Sequence, residues 1–310
     1  MNARIRVAVI GGGQNCEHEV SLSSAASVAS TLRTGPYEVV PLTITRDGLW
    51  LDEGRPVGLA AAVARLQTCQ VVLPIVHGPR GEDGTLAALC ELAGVRYVGS
   101  GVRAGAIAMD KWTTKLIANA MGIATAPGVL LTRSSAAGYA WTHPVVVKPV
   151  AAGSSRGVAL VREAGELARA LEEAFAYDDR VLVEDLLVGR EIDIAVLGSR
   201  VSPPLEIANG GVFDYETKYG GGAKFVVPAP LEDGDRKALE DAAQTMYTAL
   251  DCRGVARVDF FRTDAGWVLN EVNTMPGFTE HSQVPRLFAA AGLTYAELLD
   301  LLIADALAVP

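Results

Sequence analysis

The sequence has little cysteine, and its cysteines lie far apart. Only four of the 310 residues are cysteine, and no two of them form a CxxC pair. This spacing predicts that Cys16, Cys69, Cys90 and Cys252 are free thiols in a reducing cytoplasm, with Cys69 and Cys90 packed in a core. The pattern does not favour a catalytic cysteine.

Long apolar segments and an excess of basic residues are also missing. No apolar run reaches the ~18 to 20 residues needed to span a bilayer. Residues 1–6 lead directly into a strand-like run that ends at Ile10, so we expect neither a membrane segment nor a signal peptide. With 27 basic and 36 acidic residues the net charge is −9, which disfavours non-specific binding to nucleic acid. A nucleotide site is still compatible with this charge, because a few lysines and a metal ion suffice to hold one.

The remaining composition is typical of a folded chain with two or three lobes. Hydrophobic residues make up 50% and charged residues 20% of the sequence. In the first third, predicted strands at 6–10, 37–43 and 71–76 alternate with helical segments such as 21–32. Glycine turns between these elements imply a mostly parallel sheet that is covered on both faces.

The rest of the chain contains further helices and an antiparallel strand pair. We expect a helix over residues 104–121 that ends at Gly122, and paired strands over 256–261 and 267–272. The glycine-rich segment 208–229 has no clear period and is interpreted as a loop over a site. Boundaries near residues 100 and 183 divide the chain into three lobes, which span residues 1–100, 101–183 and 184–310.

Two predicted strands near the C-terminus carry a group of hard oxygen ligands. Asp259 lies on the first strand, and Glu271 and Asn273 lie on the second. Residues two apart on a strand point to the same face, so Glu271 and Asn273 project together, and a hairpin would place Asp259 opposite them. Carboxylates with an amide oxygen suit Mg²⁺ bound to nucleotide phosphates. Alternating polar residues also occur on hairpins that simply face solvent. The adjoining TMPG turn favours a metal site instead, because its backbone N–H groups could bind an oxyanion beside the metal.

A lysine before a Gly/Ser loop is the second signal. Lys148 ends a predicted strand, and the loop at 151–157 follows it. Such a loop can hold phosphates by charge and backbone donors, although a plain turn is the commoner structure. It is not a P-loop, because no Gly-Lys-Ser/Thr closes it. The glycines at 11–13 likewise do not fit the GxGxxG fingerprint of dinucleotide-binding folds.

Acidic residues follow two of the N-terminal strands. Glu17 comes after the first strand, where it serves either the helix dipole or a substrate ammonium. His77 and Glu82 follow the strand at 71–76, in a loop of the kind that binds ligands at the carboxyl ends of parallel strands. A glycine turn with a helix cap is the alternative for that loop.

Taken in order, these motifs resemble the D-alanine–D-alanine ligase family of the ATP-grasp superfamily. The resemblance covers nearly the whole chain and rests on GGGQNCEHEVSLSSA, HGPRGEDGT, RYVGSGVRAGAIAMDK, VVVKPVAAGSSRGV, FDYETKY, ARVDFF and NEVNTMPGFTEHSQVPR. Seven blocks in family order are far more specific than any single motif. The resemblance implies an α/β chain with the ATP-grasp fold, in which an N-terminal parallel-sheet domain precedes central and C-terminal domains that clamp ATP.

The resemblance also implies how ATP and metal are bound. Lys111 and Lys148 would contact the ATP phosphates, Glu184 and Leu187 the adenine, and Glu191 the ribose. Two Mg²⁺ ions, or Mn²⁺ in their place, would be held by the three hard ligands described above, namely Asp259, Glu271 and Asn273.

Both amino acid substrates would be bound by residues from distant parts of the chain. Glu17 would bind the ammonium of the first D-alanine, with His77 and Glu82 nearby, and Ser282 would bind the carboxylate of the second.

The remaining implied roles concern the transition state and closure of the site. Arg257 and the backbone of Gly277 would stabilise the tetrahedral oxyanion, and Lys218 would reach the transferred phosphoryl group. Ser154 and Tyr219 would join the ammonium-binding glutamate in a hydrogen-bonded set that closes the site.

The implied activity is ATP-dependent synthesis of D-alanyl-D-alanine for peptidoglycan precursors, by a cytoplasmic homodimer. The alternative is a sibling ligase with D-lactate or D-serine as acceptor, or one with an antibiotic-associated role. In this family, a tyrosine at the position of Tyr219 accompanies the members that add D-alanine. The segment 198–207 is compact and the glycine-rich loop after Tyr219 is short, so the range of acceptors at the second substrate site stays open. A non-catalytic binding protein on the same fold would have lost the lysines or metal ligands, and all are present.

Overall fold

The computed structural model describes residues 4–208 and 224–308. Within these ranges the chain forms three sheets and their covering helices. The predicted functional residues Lys218 and Tyr219 lie outside the described residues.

The N-terminal sheet has the strand order β4-β3-β2-β1-β5. Its strands are β1 (Ile5–Gly12), β2 (Tyr37–Ile44), β3 (Trp50–Asp52), β4 (Arg55–Val57) and β5 (Val71–Pro74). Its helices are α1 (His18–Arg33), α2 (Leu59–Leu66) and α3 (Thr85–Ala93). Parallel pairing of β1 with β2 and β5 confirms the predicted parallel core. The antiparallel edge formed by β3 and β4 was not predicted, because three-residue strands are too short to show alternation.

Strand β1 is apolar from Val7 onwards because both of its faces are buried there. Val7 and Val9 pack in a core with α1 and the C-terminal helices, whereas Ala8 and Ile10 pack in a second core with α2 and α3. This is the burial expected for a parallel strand that is covered on both sides. It places the end of β1, and the polar loop after it, between the N-terminal sheet and the rest of the chain.

The central sheet is antiparallel, with the order β6-β9-β7-β8. Its strands are β6 (Gly128–Thr132), β7 (Val145–Pro149), β8 (Ala159–Val161) and β9 (Arg180–Asp185). The short helix α6 (Arg133–Ala136) and, after a 3₁₀ turn at Ala164–Glu166, helix α7 (Leu167–Phe175) accompany it. The domain boundary proposed near residue 183 falls inside β9. The division of the chain into three lobes stays a prediction.

The helix predicted over residues 104–121 is two helices. They are α4 (Val102–Met109) and α5 (Lys111–Ala120), and Asp110 separates them. The Asp110 carboxylate accepts the backbone N–H of Thr113 at 2.8 Å, which is a standard N-cap and starts the new helix. This break, which the apolar period alone does not show, brings Lys111 to the first turn of α5.

The C-terminal sheet is antiparallel, with the order β13-β12-β10-β14-β15 and β11 paired to β10. Its strands are β10 (Arg190–Leu197), β11 (Arg200–Val201), β12 (Leu205–Ile207), β13 (Phe225–Val226), β14 (Val255–Thr263) and β15 (Gly266–Asn273). The accompanying helices are α8 (Asp233–Ala249), α9 (Gln283–Ala290) and α10 (Tyr295–Ala308). The predicted strand pair is confirmed as β14 and β15, whereas α9 was not predicted. Among the described residues no single helix is long and apolar enough to cross a membrane.

Candidate active site

One cavity of about 720 Å³ lies where the three sheets meet. Of the predicted site residues that the structure describes, all but one line this cavity. They are Glu17, His77, Glu82, Lys111, Lys148, Ser154, Glu184, Leu187, Glu191, Arg257, Glu271, Asn273, Gly277 and Ser282. The exception, Asp259, is only 2% exposed and contacts Arg257 and Asn273 in the cavity wall.

Glu17 presents a buried carboxylate at one end of the cavity. It precedes helix α1 and is 6% exposed. Its backbone N–H donates to Asn15 Oδ1 at 2.7 Å, which fixes the turn that leads into the helix. The Ser154 hydroxyl, from the loop after β7, donates to Glu17 Oε1. The predicted link between these two residues is therefore present, and it spans 137 positions of the sequence.

Glycines let two loops approach the Glu17 carboxylate closely. A Cβ atom at Gly153 or at Gly78 would overlap Glu17 Oε2. Gly78 also has a positive φ of 73°, which side chains rarely adopt. The carboxylate is thus enclosed by backbone on two sides.

His77 is a neutral histidine that ties the N-terminal sheet to the C-terminal lobe. Its Nδ1 lies 2.7 Å from Met275 O, and its Nε2 lies 2.9 Å from Ser24 Oγ. A carbonyl oxygen can only accept, so Nδ1 carries the proton and Nε2 accepts from the Ser24 hydroxyl. Burial lowers the pKa of His77, which favours this neutral form. Ser24 Oγ in turn accepts the backbone N–H of Phe278 at 3.1 Å.

Glu82 is a carboxyl group whose protonated, uncharged form is favoured by the site. Burial, together with the charge of Glu17, raises the pKa of Glu82 to about 8. Its two oxygens accept the backbone N–H groups of Gly78 at 2.6 Å and Met275 at 3.4 Å. Glu82 therefore contacts the same Met275 segment as His77 does.

A buried ion cluster occupies the side of the cavity formed by the central sheet. Lys148 Nζ lies 2.6 Å from Glu184 Oε2 and 3.2 Å from Asn270 Oδ1. Lys115, on α5, forms an ion pair with the other Glu184 oxygen. Burial opposes the charge of Glu184, but the two lysines outweigh it and lower the pKa of that carboxyl. With two cations and one anion, this cluster has one positive charge left for an anionic ligand.

Lys111 points into the cavity from the first turn of α5. Its Nζ donates to Ala152 O at 2.8 Å and lies 3.4 Å from Glu271 Oε2. Lys111 thus joins the Gly/Ser loop after β7 to the predicted metal ligands on β15. This position, together with that of Lys148, puts two cations along one wall of the cavity.

The predicted metal ligands lie on one face of the β14–β15 hairpin. Asp259 is directly opposite Glu271, and Arg257 is opposite Asn273. A bulge between Asp259 and Phe260 shifts the register of the pairs that follow. Asn273 Nδ2 donates to Asp259 Oδ2 at 3.0 Å. The same-face arrangement expected from the spacing is confirmed.

Arg257 contributes a buried guanidinium group to the lining of the cavity. It donates to both oxygens of Asp259, with Nε–Oδ1 and Nη2–Oδ2 distances of 2.7 Å. Burial opposes its charge, but the carboxylates of Asp259 and Asp193 outweigh this and raise the pKa of Arg257 well above its usual value. Arg257 is therefore a permanent cation at the floor of the cavity.

Comparisons with known proteins agree with this site. A family described as D-ala D-ala ligase C-terminus matches residues 118–304, and one described as D-ala D-ala ligase N-terminus matches residues 6–65 and 54–100. The chain belongs to the D-alanine–D-alanine ligase family. The resemblance seen in the sequence is therefore confirmed, and with it the ATP-grasp fold.

Relatives of this ligase match it along their whole length. D-alanine–D-alanine ligases from Mycolicibacterium vanbaalenii and Corynebacterium aurimucosum are 40% and 39% identical, and the matches cover 98% or more of each chain. Among solved structures, the VanG D-Ala:D-Ser ligase of Enterococcus faecalis has a TM-score of 0.86 at 35% identity and covers 98% of this chain and 99% of its own. The Bacillus anthracis D-alanine–D-alanine ligase, solved with ATP, has a TM-score of 0.82 at 29% identity, covering 98% of both chains.

The loop that follows β15 in this ligase carries Gly277 and Ser282. Ser282 is the residue before α9, and its hydroxyl accepts the backbone N–H of Thr279 at 3.0 Å. A Cβ atom placed on Gly277 would lie 3.4 Å from Ser282 Oγ, so the two predicted site residues are neighbours. Both face the cavity.

Several polar residues that contact the predicted residues of the ligase site were missed in the sequence, among them Lys115, Asp193 and Gln283. Lys115 follows Lys111 by one helical turn, a spacing that would have placed both on one face of α5. Asp193 follows Glu191 by two positions on β10, which is also a same-face spacing. Gln283 has no such signal, because its contacts depend on how α9 packs against the C-terminal sheet.

Proposed function

We propose that this enzyme uses ATP to join two D-alanines into D-alanyl-D-alanine, with release of ADP and phosphate, for peptidoglycan precursor synthesis. The observation that carries the proposal is the cavity itself. It combines a buried carboxylate at one end, Glu17, with the cations Lys111 and Lys148 along a wall and Arg257 on the floor. An amino acid ammonium, a polyphosphate and an oxyanion each have a complementary group there.

The first step makes an acyl phosphate. Glu17 binds the ammonium of the first D-alanine. The carboxylate of that D-alanine is then free to attack the γ-phosphorus of ATP. The P–O bond to ADP breaks as the new bond forms. Lys111 and Lys148 neutralise charge on the phosphates, which is most of what phosphoryl transfer requires of a protein. Lys218, outside the described residues, keeps its predicted role at the transferred group.

Nucleotide binding is assigned to the side of the cavity nearest the central sheet. Leu187, which follows β9, and Glu191, on β10, both line the cavity and keep their proposed contacts to adenine and ribose. The Glu184 carboxylate is occupied by two lysines, so we assign it to holding Lys148 as well as to the adenine.

The second step forms the peptide bond. Ser282 binds the carboxylate of the second D-alanine, whose free amine attacks the acyl carbon. Negative charge develops on the carbonyl oxygen, where Arg257 and the Gly277 N–H stabilise it. The tetrahedral centre then collapses, phosphate leaves, and the amine loses a proton. Tyr219, outside the described residues, keeps its predicted role of closing the site with Ser154 and Glu17, which would protect the acyl phosphate from water.

Asp259, Glu271 and Asn273 fit a magnesium site by their donor chemistry. No group of three His, Cys, Asp or Glu side chains converges among the described residues, so the candidate is two carboxylates with an amide, which are hard oxygen ligands. When bound, Mg²⁺ would neutralise phosphate charge. Asp259 is held by Arg257 and Asn273 in the structure, and Glu271 faces the cavity beside Lys111.

The cellular setting is also part of the proposal. Buried free thiols at Cys69, Cys90 and Cys252 suit a reducing cytoplasm, where ATP is available. We further propose that the enzyme is a homodimer, which light scattering of the purified protein will test.

The decisive experiment measures ADP release with D-alanine as the sole amino acid, with products identified by mass. We expect stoichiometric ADP and the dipeptide D-alanyl-D-alanine. D-serine as acceptor is the second candidate, because the VanG structure is a D-Ala:D-Ser ligase. If the purified enzyme releases ADP only when D-serine is added to D-alanine, the second candidate replaces the first.

A further inference from the structure

Two polar side chains that the proposed reaction does not use contact Arg257. Gln283, the first residue of α9, accepts a hydrogen bond from Arg257 Nη1 through its Oε1 at 2.7 Å. Its Nε2 donates to Asp193 Oδ2, also at 2.7 Å. Asp193 is 1% exposed and lies directly opposite Asp259 in the pairing of β10 with β14.

The orientation of the Gln283 amide is set by its two neighbours. A carboxylate only accepts and a guanidinium only donates. The amide must therefore turn its NH₂ to Asp193 and its oxygen to Arg257, and the opposite flip would lose both hydrogen bonds. Asp193 thus acts on Arg257 in two ways, through the Gln283 amide and directly, since its own Oδ2 forms an ion pair with Arg257 Nε at 3.6 Å.

The position of Gln283 also links two parts of the site. It directly follows Ser282, which we assign to the acceptor carboxylate, and it reaches Arg257, which we assign to the oxyanion. A single side chain therefore fixes the start of α9 relative to β14. Misplacement of a reacting group by about 1 Å is enough to slow an enzyme by about 100-fold.

We propose that Gln283 and Asp193 are positioning residues that hold Arg257 and the start of α9 in the geometry needed for peptide bond formation. The inference rests on the proposed function, since it takes the roles of Arg257 and Ser282 from it. Asp193 keeps the amide in its one productive orientation, and Gln283 passes that constraint to the guanidinium.

The test is a double-mutant cycle on the full-length enzyme. Gln283→Glu places a second carboxylate against Asp193, so the hydrogen bond is replaced by repulsion. In the double variant Asp193→Asn with Gln283→Glu, the amide introduced at position 193 donates to the carboxylate introduced at position 283. Together with Asp259, the same number of carboxylates then lies beside Arg257 as in the wild type. Asp193→Asn alone keeps a hydrogen bond, because the Gln283 NH₂ can donate to the new amide oxygen.

We expect Gln283→Glu to lower kcat for dipeptide synthesis at least about tenfold, while the KM for ATP stays within about twofold. The double variant should regain at least about fivefold of that loss, which corresponds to a coupling of ordinary size for contacting residues. Gln244→Glu on α8 is the matched control, because this half-buried amide also donates a hydrogen bond, to Gly198 O at 3.1 Å, but does not line the cavity. That variant should keep the wild-type kcat. Thermal unfolding of all variants separates mispositioning from instability.

Three results would overturn the inference while the proposed function stands. They are a Gln283→Glu variant with wild-type kcat, a double variant no faster than Gln283→Glu, and a loss of kcat that follows a fall in Tm across the series. Arg257→Lys tests the foundation separately. If that variant makes dipeptide at the wild-type rate, the oxyanion role of Arg257 and the inference fail while the ligase activity stands. If the wild-type chain makes no dipeptide, the proposed function and the inference fail together.

Discussion

Glu271 and Asp259 face each other across two antiparallel strands, and this pairing sets the first prediction. Glu271→Gln keeps the shape of the side chain and removes its charge. We expect Mn²⁺ affinity in the presence of a non-hydrolysable ATP analogue to fall at least about tenfold, because a hard cation prefers carboxylate to amide. Titration calorimetry measures the affinity, and ADP release at limiting Mg²⁺ should fall with it.

The control for this change is Glu173→Gln on the exposed face of α7, where the carboxylate pairs with Arg169 one helical turn away. That variant should bind the metal as the wild type does. Wild-type Mn²⁺ affinity and full activity in Glu271→Gln at limiting Mg²⁺ would show that the metal is held elsewhere.

Lys148 carries the surplus positive charge of the buried ion cluster, and removing this charge should weaken mainly the binding of ATP. We expect Lys148→Ala to raise the KM for ATP about 10- to 100-fold, since a hydrogen bond to a charged group contributes about 1.5–3 kcal/mol. The KM for D-alanine should change by about twofold at most. Steady-state kinetics with each substrate varied in turn gives both values.

Lys237→Ala on the exposed face of α8 is the matched control, since its ammonium pairs with Asp241 at the surface. Circular dichroism and thermal unfolding verify that Lys148→Ala is folded. An unchanged KM for ATP in the folded variant would move the phosphate contact to another residue.

At the scale of elements, the loop after β15 is held by the loop after β5. His77 and Glu82 come from the N-terminal lobe and bind the backbone of Met275, two residues before Gly277. The N–H group proposed for the oxyanion is therefore positioned by a different lobe from the one that carries Arg257. Opening of the two lobes would separate these groups.

Glu82 makes this junction sensitive to pH. Its pKa in the folded protein is raised to about 8 from an ordinary value of 4.5. Between these values the folded state binds more protons than the unfolded chain, so the contribution of Glu82 to the free energy of unfolding falls as pH rises. Glu82→Gln cannot titrate. The stability of the wild type relative to Glu82→Gln should therefore fall by at least about 1 kcal/mol from pH 5 to pH 8.

Urea unfolding at both pH values measures this difference, and the surface variant Glu173→Gln should show none. A constant difference between wild type and Glu82→Gln across the range would mean that Glu82 is ionised in the folded protein throughout. The direction matters as well, because a depressed pKa would make the wild type gain stability with pH.

The complete site, with residues from all parts of the chain, determines which acceptor the enzyme uses. Ser282 faces the cavity, and Tyr219, outside the described residues, is predicted to hydrogen-bond with Ser154 and Glu17. A tyrosine hydroxyl adds no cation that would repel an incoming ammonium. We therefore expect the enzyme to prefer D-alanine to D-lactate at pH 7.5. Activity with D-alanine should rise into the alkaline range, because the attacking amine must lose a proton.

A competition assay with equal D-alanine and D-lactate at several pH values, resolved by mass, gives the preference directly. Tyr219→His should shift the products towards the depsipeptide as pH falls, because histidine becomes cationic near pH 6.5 and favours a neutral hydroxy acid. Depsipeptide as the main wild-type product at pH 7.5 would leave the ligase assignment in place and change the acceptor.

Much of this molecule follows from local sequence. The apolar run of β1 requires burial on both faces, and the two-residue spacing of Glu271 and Asn273 requires one face of a strand, so both were predictable without a structure. The order of the motifs identified the family because each block can be matched as sequence, without knowledge of tertiary contacts. Some short elements were not predicted, because three-residue strands such as β3 and β4 contain too few positions to show a period.

Which distant side chains are in contact depends on the fold of the whole chain. The Ser154–Glu17 hydrogen bond, the pairing of both lysines with Glu184, and the contact of Gln283 with Arg257 join residues 26 to 137 positions apart. No local pattern encodes these contacts, because they depend on how three sheets pack around one cavity. The raised pKa of Glu82 has the same origin, since it comes from burial between lobes and from the charge of Glu17, neither of which exists until the chain has folded.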